Sequence, residues 1–282
     1  MIKIISDSTC DLSKELIEQY QIAIRPLYVH LGEDEYVDGV NVTPDDLYRW
    51  ADANKSTPKT SVFSMPEAME LFRTYTDAGD EIIAFSISDE MSSSGNVMRM
   101  AAEELEMEDR IHVINSANLS TGIGLLVLEA AIMAQNGVPA KEIVARIEEL
   151  KPLVRSSFVV DTLTYLHRGG RCSGVAALAG GMLKIHPKIM VANGTMSPDK
   201  KYRGKMKSVV MDYVKDMEED LKNAKPDRVF ITHSGCDEEI LAAVREYLQE
   251  LNVFAQIHET RAGSVISSHC GPGTLGVLYI AQ

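Results

Sequence analysis

Short apolar runs alternate along the chain with stretches in which apolar residues recur every three to four positions. The runs at residues 2–5, 82–87 and 111–114 predict buried strands, and the periodic segments between them predict amphipathic helices. Two helix starts are marked. Thr43-Pro44-Asp45-Asp46 supplies an N-cap, a first-position Pro and an acid at the third position, and Ser64-Met65-Pro66-Glu67 is a capping box whose helix stops at Gly79. A long apolar helix over 121–135 ends at Gly137 and another follows Pro139. Lys151-Pro152 then breaks the pattern before a strand at 157–160. The alternation resumes, with strands near 188–191, 229–232, 253–258 and 275–280 and helices near 205–222 and 237–251.

This is an α/β pattern, expected as two α/β domains with mainly parallel sheets over residues 1–152 and 153–282, with a cleft between them. No internal repeat or low-complexity linker separates the halves, so they are expected to be closely joined.

Charge and composition narrow the function. A net charge of −13 and an aromatic content of 6% disfavour nucleic acid and anionic membranes. Asp7 interrupts the apolar N-terminus where a signal peptide needs continuity, and the run at 122–134 is too short to span a bilayer, so a cytoplasmic protein is expected. Cys10, Cys172, Cys236 and Cys270 form no C-x-x-C pair, which argues against a disulfide framework or a structural zinc and fits a reducing compartment. Neither a metal nor a cofactor is expected. Residues 151–207 hold eleven Lys or Arg against Asp161 and Asp199, so an anionic ligand or partner is expected on that segment, a basic rim that balances the acidic helices being the alternative.

Several motifs are weighed for chemistry. Gly271-Pro272-Gly273-Thr274-Leu275-Gly276 matches G-x-G-x-x-G, but only six residues follow, too few for a dinucleotide fold. Gly170-Arg171-Cys172-Ser173-Gly174 resembles a nucleophile elbow without a strand leading into it. No G-x-x-x-x-G-K-[ST] loop occurs, so ATP chemistry would need another protein. The hydroxyl clusters Thr60, Ser61, Ser64 and Ser92, Ser93, Ser94 lie at junctions leading into helices, where free amides and hydroxyls suit a carboxylate or phosphate, though any one serine can be an ordinary cap. His269 stands beside the glycine turn, where an imidazole could meet a ligand oxygen. The competing enzyme reading is a serine or cysteine acyl-ester hydrolase, with Ser94 or Cys172 as nucleophile and His269 as base.

Taken together, these segments resemble the DegV family, which includes the fatty-acid-binding B subunits of bacterial fatty acid kinase. The resemblance rests on Asp7-Ser8-Thr9-Cys10-Asp11-Leu12, Lys59-Thr60-Ser61, Ser88 to Ser94, Leu166-His167-Arg168-Gly169-Gly170-Arg171, Leu183-Lys184-Ile185-His186-Pro187 and His269-Cys270-Gly271-Pro272-Gly273. It implies a long-chain fatty acid in the first domain. The carboxylate would lie near the interdomain cleft on Ser61 and Ser94, then Thr60, Ser93 and His269. It also implies a separate ATP-binding kinase subunit that phosphorylates the bound acid, facing Arg168, Arg171 and Arg203 of the second domain. Val62-Phe63, Asp89, Glu90 and Ser93 depart from the family pattern beside the head group.

Overall fold

The computed structural model describes residues 1–172, 174, 175 and 185–282. The Leu183-Lys184 part of one motif and Ser173 of another lie outside the described residues.

The apolar runs of the first half form a parallel sheet in the order β2 (Ala23–Arg25), β1 (Ile2–Asp7), β6 (Glu81–Ser86), β7 (Ile111–Asn115). Its inner strands are buried, as uninterrupted Ile-rich runs require. Beside it lies a small antiparallel sheet, β4 (Asp34–Val37), β3 (Tyr28–Leu31), β5 (Lys59–Ser61), too short and polar to register as strands in the sequence.

The second half builds a six-stranded sheet in the order β10 (Thr195–Arg203), β9 (Ile185–Ala192), β8 (Val154–Val159), β13 (Leu275–Ala281), β11 (Ala224–His233), β12 (Gln256–Arg261). The α/β class holds, but the expectation of mainly parallel sheets is corrected here: only β11 and β12 pair in parallel, joined through helix Glu238–Leu251, and the other four pairings are antiparallel. The reason is local. Asn193 and Gly194, both at positive φ, turn β9 back on β10 as a two-residue hairpin, whose twist suits antiparallel strands. The exposed, lysine-rich β10 gives no apolar run to announce itself.

Alternation along this sheet feeds two cores. Val229, Ile231, Leu275 and Val277 face outward to the helices Met206–Asp216 and Glu238–Leu251. Phe158, Ile189, Phe230 and Leu278 face inward and join a core shared with Ile4, Ile83 and Phe85 of the first half. Between the sheets runs the central helix Thr121–Gln135, buried on nearly every side. Its Glu129 is neutralised by Lys225 at 2.9 Å and Arg228 at 2.5 Å. No helix among the described residues is long and apolar enough to cross a membrane.

Candidate functional site

The structure holds a cavity of about 340 Å³ between the two halves, at the small end of the usual ligand-site range of about 300 to 1,000 Å³. Its floor is the inward face of the six-stranded sheet, where Phe158, Gly276 and Thr232 stand in register across three strands. Gly276 keeps that row open, since a Cβ there would meet the Ser157 carbonyl at 2.8 Å. Leu27, Ile87, Met91, Leu166, Met196 and Leu278 supply apolar wall. The Thr232 hydroxyl is tied back to Thr121 at 2.6 Å and Thr260 at 3.2 Å, so it asks nothing of a ligand.

Against this apolar lining stand Thr60, Ser61, Ser92, Ser93, Arg171 and His269. Thr60 and Ser61 end the edge strand β5, and Ser93 caps helix Ser94–Glu104. His269 lies on helix Ser264–Cys270, which the glycine turn terminates. Its Nε2 meets Thr60 Oγ1 at 2.9 Å, and its Nδ1 is buried without a protein partner. The ring presses so closely on Gly169 that a Cβ there would lie 2.6 Å from Nδ1. Burial first, then the Arg171 charge, pushes the His269 pKa down to about 4, so the imidazole is neutral near pH 7. A proton on Nε2 lets the ring donate to Thr60 and frees the Thr60 hydroxyl hydrogen for a ligand oxygen. Ser61 Oγ is shared with His30 Nε2 at 2.7 Å. Arg171 braces one guanidinium nitrogen on the Gly169 carbonyl at 2.8 Å. One cation, a neutral imidazole and hydroxyl donors beside an apolar chamber suit an anionic head on an apolar tail.

Of the residues read from the sequence, Thr60, Ser61, Ser93 and His269 meet in this wall. Ser94 does not: it is fully buried, and its hydroxyl donates to Asp7 Oδ2 at 2.7 Å. Ser64 is a helix cap, its amide and hydroxyl both donating to Glu67 Oε2. Arg171, expected to face a partner, also lines the cavity, and it is exposed on the surface like Arg168 and Arg203. Asp89 pairs with Arg99 at 2.9 Å, and neither it nor Glu90 is part of the wall, so the added acids do not oppose an anion there. Val62 lines the cavity, and Phe63 is buried beneath the Arg25 guanidinium.

The hydrolase arrangement is not assembled. Ser94 is engaged by Asp7 while His269 is engaged by Thr60. Burial raises the Cys172 thiol to about 11, away from the reactive thiolate. The backbone of Cys172 forms an isolated β-bridge with Met196 of β10, next to Arg171.

Ser92, part of the second hydroxyl cluster, also lines the cavity, whereas sequence reasoning missed Arg171 as a wall residue and missed Ser120 and Thr274. These three reach the cavity through long-range packing that leaves no local signal.

Comparison with known proteins agrees with the motifs. The family model described as "Uncharacterised protein, DegV family" matches residues 1–282. A DegV domain-containing protein of Clostridium perfringens is 32% identical over 283 residues, covering 100% of this chain and 99% of its own. A fatty-acid-binding DegV family protein from Thermus thermophilus superposes with a TM-score of 0.92 at 28% identity, covering 100% and 99% of the two chains. A stearic-acid-binding protein from Eubacterium ventriosum gives 0.87 at 31% identity, covering 100% and 98%.

Proposed function

Because the chain belongs to the DegV family, we propose that it binds a long-chain fatty acid, with the carboxylate beside Arg171 on the hydroxyls of Thr60 and Ser93 and the chain in the apolar cavity. The observation that carries this is the pairing of one guanidinium and clustered hydroxyls with an otherwise apolar chamber. The fatty-acid-binding relatives from Thermus thermophilus and Eubacterium ventriosum support it.

The energetics divide the labour. Burying about 14 methylenes at ~0.8 kcal/mol each gives a gross gain on the order of 11 kcal/mol, whereas each charge-assisted hydrogen bond adds ~1.5 to 3 kcal/mol. The tail sets affinity and the head sets position. The finer step is that the bound acid is presented to a separate kinase subunit for acyl-phosphate formation, with Arg168 and Arg203 on the partner-facing surface. The family resemblance supports it, as does the lack of a phosphate-binding loop in the sequence. We also place a domain boundary between residues 152 and 153, because every strand of the parallel sheet precedes it and every strand of the six-stranded sheet follows it.

Mass spectrometry of lipid extracted under denaturing conditions tests the reading. A stoichiometric fatty acid of roughly 14 to 18 carbons is expected, the length for which the burial term dominates. No extractable lipid, together with no saturable uptake of added fatty acid, would overturn it.

A further inference from the structure

We infer that Asp11 is a positioning residue for head-group recognition, tying the cavity wall at Ser120 to the helix that carries His269. The inference rests on the fatty-acid reading above. Asp11 does not line the cavity. It is 6% exposed and lies in the loop after β1, itself at φ 49°. One carboxyl oxygen accepts the Ser120 hydroxyl at 2.5 Å, and the other accepts the Gly263 amide at 2.8 Å.

Both partners matter to the site. Ser120 lines the cavity with φ 52° and ψ −144°, a backbone conformation that residues with a side chain rarely hold unless their surroundings impose it. The Asp11 bond is one such restraint. The first turns of the central helix press on the same loop, since a Cβ on Gly124 would lie 2.9 Å from the Cys10 carbonyl. Gly263, for its part, opens helix Ser264–Cys270, and a Cβ there would sit 3.2 Å from carboxyl oxygens of both Asp11 and Asp38. Asp38 holds the next amide, Ser264, at 2.7 Å. Six residues after Gly263 comes His269, paired with Thr60. A displacement of Asp11 therefore moves the Ser120 wall and the start of the histidine helix together, so one carboxyl sets how the chamber closes and where the imidazole points.

The test compares palmitic acid with 1-hexadecanol, which has the same chain length and no carboxylate. Wild type is expected to prefer the acid. Asp11→Ala is expected to reduce that preference about tenfold, the loss of one well-aimed hydrogen bond, with hexadecanol affinity little changed. Asp11→Asn keeps an acceptor for Gly263 and a polar partner for Ser120, and is expected to restore the preference. A purely structural role would instead weaken both ligands equally, and that result, or an undiminished preference in Asp11→Ala, overturns the inference. If Asp11→Ala does not fold, Ser120→Gly removes the same tie while easing the backbone. It is expected to lower the preference, and an unchanged ratio is equally decisive against it. Binding of neither ligand by wild type would remove the fatty-acid reading itself, and this inference with it.

Discussion

Arg171 and Ser94 carry opposite expectations although both lie in the family's motifs. Arg171→Ala removes a cation from the cavity wall, so fatty-acid affinity should fall about 10- to 100-fold, the equivalent of ~1.5 to 3 kcal/mol. Ser94→Ala should leave affinity near wild type and lower stability by about 1 to 2 kcal/mol, because the buried Asp7 carboxyl loses one of its donors. Titration with a fluorescent fatty acid and urea unfolding separate the two effects, and a strong affinity loss in Ser94→Ala would place the serine in the site after all. The contrast shows what the sequence could say at this scale. Thr60, Ser93 and His269 were legible because hydroxyls before helices and an imidazole beside a glycine turn have local reasons to meet an anion. Ser94 has the same local reasons. Its inward direction is set by Asp7, 87 positions earlier, and no local pattern records that.

At the scale of elements, β1, β6 and β7 of the parallel sheet and five strands of the six-stranded sheet were legible as apolar runs, whereas β2, β10 and the antiparallel pairing of the second sheet were not. There the chain order of strands differs from their spatial order, with β13 inserted between β8 and β11. The segment 164–171 shows how such elements meet at the site. Helix Thr164–Gly169 brings Gly169 against the His269 ring and delivers Arg171 just beyond it. Gly169→Ala must displace that ring, because the added Cβ would lie 2.6 Å from its Nδ1. Weaker binding of the acid and a stability loss of about 1 to 3 kcal/mol are expected, read by the same titration and urea series. Unaltered affinity would show that the imidazole is dispensable for the head group.

Across the whole molecule, buried ionisable groups dictate a pH dependence. Burial, opposed by hydrogen bonds from Ser120 and Gly263, raises the Asp11 carboxyl from 3.8 to about 8, and Asp7 and Asp38 are also raised by burial. The native state thus holds protons that the unfolded chain releases, and stability falls as pH rises from about 4 toward 8. His269 acts in the other direction, because its pKa drops from 6.5 to about 4 and its neutral form favours folding as pH rises through that window. The two trends oppose each other below pH 6.5. Above it only the carboxyls act, so the melting temperature should decline between pH 6.5 and 8, and Asp11→Asn should flatten the decline. A wild-type melting temperature that climbs over this interval would contradict it. The exposed arginines give a second whole-molecule expectation. Charge reversal at Arg168 or Arg203 should slow phosphoryl transfer by a matched kinase, increasingly so at low salt, and leave fatty-acid affinity unchanged. Normal transfer in both variants would make this surface a basic rim only.

The floor of the cavity is also part of a hydrophobic core: Phe158 and Leu278 line the chamber and pack with residues from both halves. A bound acyl chain is then a piece of the interior supplied from outside. Occupancy at 100 times the dissociation constant would add about 2.7 kcal/mol to stability. Delipidated protein should be cut by a nonspecific protease faster than loaded protein, and equal rates would dissociate the ligand from the core. If the chain carries fatty acid as proposed, the consequence in a growing cell is one of supply: the empty form is expected to be cleared faster by quality-control proteases, so that the amount of protein would follow the amount of lipid.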